Sequence, residues 1–209
     1  MKHVKFRPWN GDNYEQIPQG KKLLILGDSH YCAKDKNRND ACRSKGDCSY
    51  DCMNDCCYKM THNLIRDEYL EFRSGRKKSE GYLQTILTFE KNLFGYTPSP
   101  QESINFWNSV IFYNYIQHSQ YKPRGRRDTN AEEIDDYKEA FKEVLAEYQP
   151  DYIIIWSKFL FTQDWLPDGA FEAPDYTLNA EYNGVIYNTP VRTFKLDGGK
   201  LIRAIITQH

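Results

Sequence analysis

Asp28, Ser29, His30 and Tyr31 follow directly on the apolar run KLLILG (residues 22 to 27), so a carboxylate, a hydroxyl, an imidazole and a phenol stand in consecutive positions where a buried strand must stop. Three further apolar runs end in the same way. NSVIFY leads to Asn114 and Tyr115, DYIII to Trp156 and Ser157, and KLIRAIIT to Gln208 and His209. A carboxylate can orient or deprotonate water and favour a developing positive charge. The Asn amide carries a donor and an acceptor in one plane and can therefore read the edge of a flat polar ligand. An imidazole can donate to a departing anion.

These residues act together only if the strands that carry them run parallel in one sheet. Short continuous apolar runs bounded by Gly or Pro predict strands covered on both faces, at 22 to 27, 108 to 117, 150 to 158 and 200 to 209. Helical spacing predicts helices over 60 to 75, over 81 to 95, and from Thr129 or Asn130 to the stop at Pro150. TPSPQES (97 to 103) reads as a break, and Asn183-Gly184 between β-prone runs (180 to 194) reads as a hairpin. The expected class is α/β, a three-layer α/β/α arrangement with a central, mainly parallel four-stranded sheet and a small β-hairpin. In such sheets ligands bind beyond the carboxyl ends of the strands.

A length of 209 residues with 40% hydrophobic residues fits one domain, 1 to 209, with a core of its own. No apolar run is long enough to span a bilayer, and the first twenty residues lack the apolar stretch of a secretory signal. A cytoplasmic monomer is expected. The net charge of -1 conceals a basic segment, YKPRGRR, holding Lys122, Arg124, Arg126 and Arg127, beside an acidic helix. All six cysteines fall within an insertion at residues 32 to 57. Cys48, Cys52 and Cys56 recur every fourth residue with Cys57 beside the last, but the C-x2-C pair usual in zinc and iron–sulfur sites is absent. A structural zinc or iron–sulfur cluster on Cys48, Cys52, Cys56 and Cys57 is one expectation; free or locally bridged thiols are the other.

The blocks LLILGDSHY, SVIFYNYIQHSQYKPRGRR, KEVLAEYQPDYIIIWSK and AIITQH resemble, in order and spacing, those of the uracil-DNA glycosylase superfamily. The resemblance touches most of the chain. It implies a DNA glycosylase that hydrolyses the N-glycosidic bond of a flipped-out uracil or a related modified base, without a cofactor for the chemistry. Asp28 would activate water and favour the cationic sugar, and His209 would donate to the leaving base. Asn114 would read the base edge, with Tyr31, Ser29 and His30 completing the base pocket. Lys122, Arg124, Arg126 and Arg127 would hold the DNA backbone. A role in repair or in defence against phage fits such an activity. The first motif departs from the family pattern: Ser29 stands where the usual acid is found, and His30 replaces the loop proline.

Two other functions compete. Gly-Asp-Ser after a first strand also opens the esterases of SGNH or GDSL type, with Ser29 as nucleophile. Those enzymes need a late Asp-x-x-His, and none of His62, His118 and His209 has Asp three places before it. A DNA-binding module that keeps the fold without the activity is the third possibility. Each residue also has an ordinary role open to it: Asp28 as a cap, Asn114 as a partner of loop backbone, Tyr31 and Trp156 as core aromatics, and the arginines as a solvated loop.

Overall fold

The pattern of apolar residues sends alternate side chains of each strand into different cores, and a sheet covered on both faces results. The structure, a computed structural model, describes residues 1–14, 20–30, 60–118, 131–157, 159–160, 165–167, 176–182, 185–196 and 198–206. Its strands are β1 (Trp9–Asn10), β2 (Leu23–Gly27), β3 (Ile111–Asn114), β4 (Tyr152–Ile155), β5 (Tyr176–Tyr182), β6 (Val185–Lys195) and β7 (Leu201–Ile206). Its helices are α1 (60–73), α2 (Gly81–Phe94), α3 (Pro100–Asn108) and α4 (Ala131–Tyr148).

The seven strands lie in the order β1-β3-β2-β4-β7-β6-β5. β3, β2, β4 and β7 pair in parallel, with Ile25 beside both Phe112 and Ile154, and Ile154 beside Ile205. The sheet is larger than the four strands expected. The hairpin β5–β6 joins it because β6 pairs antiparallel with β7, and Trp9–Asn10 adds an antiparallel pair on β3.

On one face Leu24, Leu26, Ile111, Tyr113, Ile153, Ile155, Ile202 and Ala204 pack with Tyr137, Phe141, Val144 and Leu145 of α4. On the other, Ile25, Phe112 and Ile154 pack with Ile65 and Tyr69 of α1, Leu83, Ile86 and Phe89 of α2, and Trp107 of α3. Each fully buried Leu, Ile, Val or Phe among them contributes about 1.5–3 kcal/mol of transfer free energy. No helix among the described residues is long and apolar enough to cross a membrane.

Two helices differ from what periodicity predicts. TPSPQES does not only break the chain: Ser99 caps α3, its hydroxyl accepting from the Glu102 N–H at 3.3 Å while the Glu102 carboxylate accepts from the Ser99 N–H at 2.7 Å, with Pro100 in the first turn. This capping box ends the break and starts the helix. Helix α1 begins as an α-turn (Met60–His62), continues as a π-helix (Asn63–Leu70) and closes as an α-turn (Glu71–Arg73). π-Helical turns are rare and gather at functional sites.

The three helices on that face are tied by a buried carboxylate. Trp107 Nε1 and Ser103 Oγ each donate to Glu90 at 2.7 Å, and Arg73 Nε donates to Ser103 Oγ at 2.9 Å. Glu90→Leu strands two buried donors, so it should cost about 3 kcal/mol. Urea unfolding of the variant should show that loss with an unchanged slope, and a loss below about 0.5 kcal/mol would mean the network does not bind α2 to α3.

Candidate functional site

The order of connections decides what meets at the carboxyl ends of the strands. From β2 the chain passes through α1, α2 and α3 on one face and returns as β3 on one side of β2; from β3 it passes through α4 on the other face and returns as β4 on the opposite side. Crossovers of one hand that travel in opposite directions must use opposite faces. The chains that leave β2 and β3 thus come to lie on opposite faces of the sheet, and in such sheets ligands bind beyond the carboxyl ends of the strands. Gly27 and Asn114 are register partners at the carboxyl ends of β2 and β3.

Pairing continues past both strands. The Tyr115 N–H donates to the Gly27 carbonyl at 3.0 Å and the Ile116 N–H to the Asp28 carbonyl at 2.8 Å, while on the other side the Trp156 N–H donates to the Leu26 carbonyl at 2.7 Å. These bonds bring the ends of β2, β3 and β4 level with one another. Ser157 consequently reaches Asp28: its hydroxyl donates to Oδ2 at 3.3 Å, and the Ser29 hydroxyl donates to Oδ1 at 2.5 Å. Both oxygens of a partly exposed carboxylate are thus oriented by hydroxyl donors.

Asn114 is 4% exposed, and its amide is fixed from two directions. Its Nδ2 donates to His30 Nε2 at 3.0 Å. Its Oδ1 lies where only glycine leaves space, since a Cβ on Gly27 would stand 2.1 Å from it. His30 is buried against the edge of Phe6, with ring centroids 5.2 Å apart, and Nε2 also meets the Thr61 hydroxyl at 2.8 Å. Burial pushes the His30 pKa down to about 3, so the ring is neutral at physiological pH. Gln117 secures the loop after β3, donating to the Asn114 carbonyl at 2.7 Å and accepting from the Lys5 and Phe6 N–H groups at 2.9 and 3.0 Å.

Asp28, Ser29, His30 and Asn114 are brought together as their strand-end positions predict. His30 is nearly buried, and its Nε2 is engaged by Asn114 and Thr61. Tyr31, His209, Lys122, Arg124, Arg126, Arg127, Cys48, Cys52, Cys56 and Cys57 lie outside the described residues. Among the described residues no cluster of three or more His, Cys, Asp or Glu could hold a metal ion. Trp156 packs on Phe89, centroids 4.5 Å apart, as a core aromatic.

Sequence reasoning missed Thr61, Gln117 and Phe6. Thr61 and Phe6 reach the site from segments 31 and 24 residues away from His30, and nothing local marks them. Two clefts open elsewhere, at the amino ends of the parallel strands. One of about 360 Å³ lies between Asp12, Lys22 and Glu147, and one of about 300 Å³ between Leu23, Tyr152 and Ile205. Neither includes Asp28 or Asn114. No protein-family model matches the chain, and no curated protein matches it.

Two outcomes test this geometry. Gly27→Ala must push Asn114 away from His30, costing about 1–3 kcal/mol and shifting the Asn114 side-chain amide resonances; unshifted resonances would contradict the close approach. The buried His30 also makes stability depend on pH. Its imidazole titrates near 6.5 when unfolded and near 3 when folded, so between those values the unfolded chain binds the extra proton and stability falls as pH falls. Above pH 6.5 it has no effect. Chemical unfolding between pH 6.5 and 5 should therefore be less steep in His30→Phe than in the wild type, by about 1 kcal/mol per pH unit.

Proposed function

We propose that the chain is a DNA glycosylase of the uracil-DNA glycosylase type, which hydrolyses the bond between C1′ of deoxyribose and the nitrogen of a base turned out of the stack. The observation that supports this most is the pairing of Gly27 with Asn114 at the switch point, which sets the Asp28 carboxylate and the Asn114 amide at neighbouring strand ends. A nucleoside has a sugar and a planar base about one strand spacing apart. A carboxylate beside the first and an amide beside the second match that shape.

As the C1′–N bond breaks, its electron pair leaves with the base and positive charge grows on the sugar. Asp28, held by Ser29 and Ser157, faces that charge and accepts a proton from the water that adds to C1′. The departing base needs a hydrogen-bond donor. His30 does not supply it as an acid, since its ring is neutral; by its resemblance to the closing motif of the family, His209 takes that role. Lys122, Arg124, Arg126 and Arg127 supply charge for the phosphate backbone. A metal or cluster on the cysteines would serve structure, since no step requires one.

The esterase alternative gains nothing from the geometry. The Ser29 hydroxyl donates to Asp28, and the nearest imidazole in sequence, His30, is engaged by Asn114 and Thr61. Purified protein is expected to release free base from oligonucleotides containing deoxyuridine, hypoxanthine, xanthine or 5-modified cytosine, leaving an alkali-labile abasic site on at least one of them. Asp28→Asn should lower that rate by at least about a hundredfold while leaving DNA binding intact. Equal rates for Asp28→Asn and wild type would remove the assignment, and binding without base release on every substrate would leave a DNA-binding module in its place.

A further inference from the structure

Ile202, Ala204 and Ile206 of β7 belong to the core beneath α4, so alternation places Leu201, Arg203 and Ile205 on the other face, the one that carries α1 to α3. On β4, Tyr152 lies beside Arg203 and Ile154 beside Ile205. Parallel strands are ordinarily covered on both faces. Here Tyr152 is 41% exposed and Leu201 53% exposed, whereas Ile154 is buried with the side chains of α1 to α3. Leu23 and Ile205 stand half-buried at the border of that core. Across β7, Thr193 and Val191, the partners of Arg203 and Ile205 on β6, are buried again. The bare strip is therefore a groove with cover on each side, and a cleft of about 300 Å³ opens along it between Leu23, Tyr152 and Ile205.

The floor of the groove is mainly aliphatic and its rim is basic. Lys21 and Arg203 line the cleft, and Lys195, the register partner of Leu201, stands exposed on the same face. Asp151 lies nearby, but its carboxylate accepts from the Lys22 N–H at 2.8 Å and pairs with Lys200 at 3.2 Å. A second copy docking through the same face would set these cations against their own counterparts, which opposes a symmetric dimer here. A nucleic acid would find charge but, among the residues of this groove, a single exposed ring on which to stack a base. An aliphatic stripe flanked by carboxylates satisfies floor and rim together.

We propose that this groove binds an acidic amphipathic helix of a partner protein, laid over β4 and β7 beside α1 to α3, with Leu or Ile side chains in the cleft and Glu or Asp side chains against Lys21, Arg203 and Lys195. Helices already cover this face over β2 and β3, so the partner extends a layer that the chain itself begins. The groove lies at the amino ends of β2 and β4, and Leu23 stands about 17 Å from Asp28 along the strand. Partner and ligand can thus be held at once, and the groove keeps its chemistry whatever reaction the carboxyl ends perform.

Fluorescence anisotropy with labelled peptides of about eighteen residues, five helical turns, tests the proposal. One peptide carries Leu at i, i+3, i+4 and i+7 with Glu on the flanks; the other carries Lys in place of Glu. The Glu peptide should bind at least about tenfold more tightly than the Lys peptide, and its affinity should fall as salt is added. Leu201→Glu and Arg203→Glu, both at exposed positions, should each weaken binding at least about tenfold with the urea midpoint unchanged. In NMR the Glu peptide should shift the Tyr152 and Ile205 resonances and leave those of Asn114 in place. Equal binding of the two peptides, no binding of either, or undiminished binding by a folded variant would overturn the proposal. So would a dimer in sedimentation that Leu201→Glu dissolves, which would give the groove to a second copy, or a single-stranded oligonucleotide that takes the place of the Glu peptide and is lost in Arg203→Glu. If Leu201→Glu does not fold, Arg203→Glu decides.

Discussion

The missing side chain of Gly27 is the constraint on which the site depends. Because nothing projects there, the Asn114 amide oxygen can occupy a position that a methyl group would approach to 2.1 Å. That permission matters only because the backbone forces the two residues together: they are partners in the parallel ladder, and the bonds from Tyr115 and Ile116 to the carbonyls of Gly27 and Asp28 carry the pairing beyond the strands. The ends of β2 and β3 are therefore one braced unit rather than two loops. A carboxylate and an amide attached to such a unit keep their separation when the surface around them moves.

The two cores hold this unit at the carboxyl ends of the parallel strands. Every residue of the central strands alternates between the α4 face and the face of α1 to α3, so neither set of helices can be removed without exposing a row of Ile, Leu and aromatic side chains. Helices on both faces close the sheet from above and below and leave access at the strand ends. Asp28 and Ser29 are partly exposed there, while their neighbours Leu26, His30, Asn114 and Ser157 are buried. Contact with solvent is thereby confined to the group that would handle water.

Much of this was legible in the sequence, for reasons that also mark where legibility stops. Runs such as LLIL and YIII can satisfy two cores only as central strands, so their ends located Asp28, Asn114 and Ser157 without knowledge of the fold. The capping box at Ser99 and Glu102 is a local signal too, and Pro100 masked it by reading as a breaker when it was the first turn. Thr61 and Phe6 have no such signature, because they act through His30, 31 and 24 residues away, and Gln117 has none because it joins Asn114 to Lys5 and Phe6, 112 and 111 residues away. The extent of the sheet was hidden for the same reason. A hairpin looks alike whether it stands alone or pairs with β7, and only the Val191 to Ile205 register decides between them.

A histidine in place of the proline of the resembled family changes how the loop after β2 is held, and the physics of burial shows what is gained. Proline would fix the backbone through its ring and offer no hydrogen bond to Asn114. A buried imidazole is confined to its neutral form, and a neutral imidazole has one donor and one acceptor at opposite positions on the ring. Asn114 is thus held by a hydrogen bond to a buried, neutral ring. The same confinement ties stability to pH, because a proton on His30 would oppose the burial of the ring.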